Sequence, residues 1–155
     1  SFESTRRILA DWLASRPAPA PAATEAERPI ACVDLDGVVA DVSGGYRGEF
    51  EVGAPLPGAR EGLATLQAAG FRVVIYTSRR QVHLVESYLR RHDLPFDAVN
   101  RAGPDAAPSA KLRAELYIDD RAIPFAGSWP DAVEAALRFR PWQSQIPPGT
   151  AEVRS

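Results

Sequence analysis

The 155-residue sequence has one cysteine, two histidines and no excess of positive charge. A single cysteine excludes an internal disulfide. Cys32 stands in the apolar run of residues 30–33, where a free thiol behaves as a small buried hydrophobe. The two histidines, His83 and His92, fall on one predicted helix and are too few for a typical zinc site. A formal net charge of −2 excludes a general attraction to nucleic acid or anionic lipid, although a local basic patch is compatible with it. No apolar run approaches the roughly 18 to 20 residues that span a bilayer, and no hydrophobic secretory segment opens the chain. A reducing, cytoplasmic setting without a membrane is therefore expected.

With 45% hydrophobic residues, the chain can bury one sizeable core. Residues 4–14 place Ile8, Leu9, Trp12 and Leu13 on one helical face, and the Pro/Ala-rich stretch 17–23 reads as a semi-rigid linker. Residues 1–28 are thus a helix on a tether, which either packs back on the body or docks a partner or a sister subunit. From Pro29 the pattern alternates. Strands are predicted at 30–33, 71–77, 96–99 and 116–118, with helices at 58–69, 81–92 and 131–139. This order predicts an α/β fold, a Rossmann-like three-layer sandwich around a central parallel sheet, with its ligand site at the carboxyl ends of the strands. The main domain covers 29–140, and 141–155 reads as an irregular tail. Residues 38–42 and 48–52 flank the turn Ser43-Gly44-Gly45-Tyr46-Arg47 and read as a β-hairpin rising beside the first strand.

At the end of that strand stands Asp34-Leu35-Asp36-Gly37. In a strand, residues i and i+2 point to the same side, so Asp34 and Asp36 emerge together just before Gly37 turns the backbone, and two such close carboxylates repel unless a cation or a shared proton intervenes. Oxygen-only ligands suit Mg²⁺. A second acidic pair, Asp119-Asp120, follows the strand at 116–118 and so lands on the same edge. Thr77 and Ser78 end the second strand with hydroxyl and amide donors suited to phosphate oxygens. Lys111, the only lysine, lies upstream of the fourth strand and can neutralise a carboxylate and a phosphoryl group together. Arg79 follows the phosphate-binding turn directly and is a candidate substrate contact. Tyr46, Arg47, Arg80, Arg121 and Trp129 are weaker candidates for touching a leaving group.

The ordered set of Asp34 to Val38 (DLDGV), Thr77, Lys111 and Asp119-Asp120 resembles the four motifs of the haloacid dehalogenase superfamily of phosphatases, over about residues 29–139. The resemblance implies Asp34 as a nucleophile forming an aspartyl-phosphate and Asp36 as general acid and then base. It further implies phosphate contacts from Thr77, Ser78 and Lys111, and Mg²⁺ held by Asp34, the Asp36 carbonyl and Asp120 with Asp119 nearby. Only the hairpin fits between Gly37 and Leu56, and residues 78–110 are filled by one helix, one strand and a loop, so a capless member is implied. Lys111 is followed by Leu112 where many members have proline. Small phosphorylated metabolites, nucleotides or polynucleotide ends are the implied substrates. The competing reading is a phosphate-binding or slowly turning-over regulatory domain. Receiver-like modules place their acidic pair after the first strand, whereas here a pair follows Lys111.

Overall fold

The structure is a computed structural model and describes residues 2–15, 24, 28–103, 106–107 and 111–145. The linker expected at 17–23 and the tail beyond 145 lie outside these residues. The described elements are α1 (Phe2–Ser15), β1 (Ile30–Asp34), α2 (Ala59–Ala68), β2 (Arg72–Tyr76), α3 (Val82–Arg91), β3 (Ala98–Val99), β4 (Leu116–Ile118), α4 (Trp129–Arg138) and a 3₁₀ turn at Trp142–Gln145. The four strands form one parallel sheet in the order β3-β2-β1-β4. The fold is α/β and Rossmann-like.

Connection geometry explains what covers each face. The β1-to-β2 and β2-to-β3 crossovers step in the same direction, and right-handed crossovers then put α2 and α3 on the same face. The main core lies there: Val33, Val73, Ile75 and Val99 from the sheet meet Leu63 of α2 and Val85, Tyr88 and Leu89 of α3. The β3-to-β4 connection steps back past β2 and β1 and covers the opposite face. Its Leu112 is buried with Cys32, Val74 and Ala98, and Ala102 and Ala114 pack alongside. A parallel sheet covered on both faces reads as continuous apolar runs, as in Val73-Val74-Ile75, all fully buried.

Local signals set the helix ends. Gly70 has φ of +96° just past α2, its amide bonds Gln67 O at 3.0 Å, and the Phe71 amide bonds Leu66 O at 3.1 Å. This is the Schellman pattern, with Leu66 packed on Phe71 as its usual apolar contact. The same pattern closes α3 with Asp93 in the left-handed position: its amide reaches Arg90 O and that of Leu94 reaches Leu89 O. Ser128 caps α4, accepting a bond from the Asp131 amide at 3.4 Å, and none of the residues of α4 is buried.

The expected hairpin takes a different form. Its base is an antiparallel bridge between Ala40 and Pro55, flanked by Asp41 N to Ala54 O at 2.7 Å and Leu56 N to Val39 O at 2.8 Å. Residues 48–52 form no strand. The loop is held by side-chain bonds to its carbonyls, which a search for alternating residues does not detect. We call residues 41–54 the flap.

Candidate metal centre

In doubly wound sheets, ligands bind where neighbouring connections leave a strand pair on opposite faces. Here that crevice lies between β1 and β4. The register pairs Val33 with Ile118, so Asp34 stands level with Asp119 just past the paired residues. Asp34, Asp119 and Asp120 each offer a carboxylate oxygen, all within 4.8 Å of one another, and together could hold a metal ion.

Asp34 carries the electrostatic penalty of this cluster. Burial, followed by the Asp119 charge, raises the Asp34 carboxyl from 3.8 to about 7; Asp120 and Asp36 add to the rise, and a bond from the Leu35 amide to Asp34 Oδ1 at 2.8 Å opposes it. Asp120 Oδ1 is buried and has no hydrogen-bond partner among the described residues, although the other oxygen accepts from Gln143 Nε2 at 2.6 Å. A buried carboxylate oxygen with no donor is costly, and a bound cation would satisfy it. The donor set therefore fits a hard divalent ion such as Mg²⁺. Asp119 is exposed, and its Oδ1 accepts the Arg121 amide at 2.7 Å.

Asp36 does not share the cluster with Asp34 in the way an extended strand would dictate. The strand ends at Asp34, the chain turns through Gly37 at φ of +91°, and Asp36 raises the Asp34 carboxyl less than Asp119 or Asp120 does. Its two oxygens instead accept from Arg79 Nε and Nη2, both at 2.8 Å. The repulsion on Asp34 thus comes chiefly from β4's acidic pair. Gly37 is required by its φ, which L side chains rarely adopt, and a Cβ there would also push aside the side-chain ends of Asp120 and Gln143.

Thr77 is buried at the end of β2 and held on several sides. Its amide donates to Asn100 Oδ1 at 2.8 Å, Asn100 Nδ2 donates to the Thr77 carbonyl at 2.8 Å, and the Arg79 amide donates to Thr77 Oγ1 at 3.2 Å. The amide of Thr77 is therefore committed to Asn100, while its hydroxyl, accepting from Arg79, retains a proton to donate. Ser78 is exposed. Lys111 is exposed too, and with Asp119, Tyr76, Tyr117, Ile123 and Pro124 it lines a cleft of about 680 Å³ beside the acidic cluster. Its ammonium lies 6.0 Å from the centre of the Tyr117 ring. Of the weaker candidates, Tyr46, Arg47, Arg80, Arg121 and Trp129 are all exposed, and Arg47 pairs with Glu51 at 2.8 Å.

Three site residues escaped the sequence reading. Asn100 follows β3 with φ of +54°, and an Asn directly after a predicted strand was its only signal. Trp142 and Gln143 come from the segment read as an irregular tail. Trp142 Nε1 donates to the Gly37 carbonyl at 2.8 Å across 105 residues of sequence, which brings Gln143 onto Asp120. No local pattern announces such a contact.

A scan against protein-family models finds no match, and neither does a comparison with curated proteins. Among solved structures, the chain is similar to a conserved protein from Bacteroides thetaiotaomicron. The two are 28% identical with a TM-score of 0.51, over 70% of this chain and 88% of that one. What the likeness and the site establish together is a parallel α/β fold carrying a carboxylate triad that could hold a metal ion.

Proposed function

We propose that the chain is a Mg²⁺-dependent phosphomonoester hydrolase of the haloacid dehalogenase type, without a cap domain. The observation that carries this reading is the convergence of Asp34, Asp119 and Asp120 at the crevice between β1 and β4, with a buried Asp120 oxygen that has no donor among the described residues. Thr77, Asp36 and Lys111 border the same edge, in the order that the resemblance requires.

In this reading Asp34 attacks phosphorus, the bond to the leaving oxygen breaks, and an aspartyl-phosphate forms on Asp34. Asp36 passes a proton to the leaving oxygen. It then takes one from the water that attacks phosphorus, which releases inorganic phosphate and restores Asp34. The Thr77 hydroxyl donates to a phosphoryl oxygen, and Lys111 balances charge from the cleft side. Asp34 and Asp120, with Asp119 close by, would hold Mg²⁺, which would supply the charge neutralisation that lets a carboxylate approach a phosphate. The flap beside Asp36 takes the place of a lid, which suits a small phosphorylated metabolite, a nucleotide or a polynucleotide end.

The test is turnover of an aryl phosphate and of a panel of nucleotides and sugar phosphates with Mg²⁺, compared with Asp34→Asn. Turnover in the wild type and its loss in Asp34→Asn are expected. Equal background rates on every phosphate overturn the enzyme and favour a phosphate-binding domain.

A further inference from the structure

Arg79 is the most heavily bonded side chain beside the site, and its side chain is only 2% exposed. A guanidinium has five N–H donors, and here each has a partner. Nε and Nη2 grip the two oxygens of Asp36; Nη1 reaches the carbonyls of Gly48 at 2.8 Å and Glu49 at 3.0 Å, and Nη2 also reaches that of Glu51 at 3.0 Å. No donor is left over for a phosphate. The flap is anchored at the same place by two further contacts. The Glu49 carboxylate accepts the amides of Arg80 and Gln81 at the start of α3, and the Tyr46 ring centre lies 4.9 Å from the guanidinium carbon.

We propose that Arg79 is a positioning residue that ties the flap to Asp36, so that the flap backbone sets how this carboxylate meets the leaving group. One edge of a rigid planar fork fixes the plane of Asp36, and the other edge is fixed by three carbonyls spanning Gly48 to Glu51. Asp36 is still 20% exposed and can reach a substrate while gripped. A lysine cannot replace this arrangement, because its three donors radiate from one atom. The role of Asp36 rests on the phosphatase reading, whereas the clasp rests on the bonds alone.

A merely structural Arg79 would lower activity equally for every substrate. A positioning role makes the loss depend on the leaving group, because a proton from Asp36 matters most when the departing oxygen is a poor leaving group. The experiment uses the full chain with Mg²⁺ and aryl phosphates ranging from dinitrophenyl to phenyl, together with amide hydrogen exchange over residues 41–56. Arg79→Lys is expected to lower kcat roughly 10- to 100-fold on phenyl phosphate and less than about 3-fold on the dinitrophenyl ester, with KM little changed. Glu49→Gln keeps the Arg79–Asp36 pair, and it is expected to show the same trend more weakly. Both variants should exchange the Asp41 and Gly45 amides faster. In an Asp36→Asn background, Arg79→Lys should cost nothing further. A uniform loss across the esters, full additivity with Asp36→Asn, or unchanged flap exchange overturns the proposal. If the wild type turns over no ester faster than Asp34→Asn, the phosphatase reading falls; flap exchange then decides the clasp alone, and unchanged exchange in both variants overturns it.

Discussion

Asp36 and Asp34 are two residues apart, yet they meet opposite electrostatic solutions. Both oxygens of Asp36 are gripped by a buried guanidinium from the protein itself. Asp34 faces two more carboxylates, and one buried oxygen of that group has no donor among the described residues. The chain thus supplies its own cation where geometry must be held, and it leaves a deficit where an exchangeable ion would bind. A fold that had merely tolerated acidic residues here would have treated the two alike.

Removing the proposed nucleophile breaks the comparison most severely. Asp34→Asn is expected to lower phosphatase turnover by roughly 10³-fold or more while leaving the fold intact, as checked by steady-state kinetics beside circular dichroism. Next comes the deficit itself. Asp120→Asn should weaken Mg²⁺ binding about 100-fold and Gln143→Ala about 10-fold, read by calorimetry without any substrate, because Gln143 acts only by orienting Asp120. Full Mg²⁺ affinity in Asp120→Asn would remove this residue from the candidate metal site.

Gly37→Ala should destabilise the protein by about 1–3 kcal/mol, measured by denaturant unfolding, since it combines a disfavoured φ with a clash at Asp120 and Gln143. Gly45→Ala has the same φ problem and open space around it, so a smaller loss there isolates the clash.

The smallest effect is a pH dependence. The Asp34 carboxyl is raised from 3.8 to about 7, so between these values the folded chain holds a proton that the unfolded chain has released. Stability of the metal-free protein should therefore fall as pH rises from about 4 to about 7 and then level off. The partly solvated position of Asp34 reduces the contribution to about 1–2 kcal/mol. Thermal melts at pH 5 and pH 8 check this: added Mg²⁺ should recover most of the loss at pH 8, and in Asp34→Asn this contribution to the slope should vanish.

How much of this was legible beforehand varies with the range of the interactions. The strand at 116–118 matches the structure to the residue, and β1, β2 and the three helices from residue 58 onward shift by at most two residues at either end. Their signals are local: apolar runs and a glycine stop. The acidic residues at two strand ends were legible for the same reason. The flap was harder, because its conformation depends on Arg79, and the side chain of residue 79 carries no local sign that it will bond carbonyls 28 to 31 residues away.

The sequence by itself determined the order of strands and helices, the parallel sheet, and the placement of acidic groups at the carboxyl ends of β1 and β4. Periodicity and turn chemistry act over a few residues and can be read from them. The motif resemblance already grouped Asp34 with Asp119 and Asp120, and only the tertiary structure decided which contacts build that grouping. The β1/β4 register joined Asp34 to Asp119 and Asp120, Arg79 drew Asp36 away, and the 3₁₀ turn at Trp142–Gln145 placed Gln143 on Asp120. These are contacts between segments tens of residues apart, and their partners are selected by the folded geometry rather than by sequence spacing.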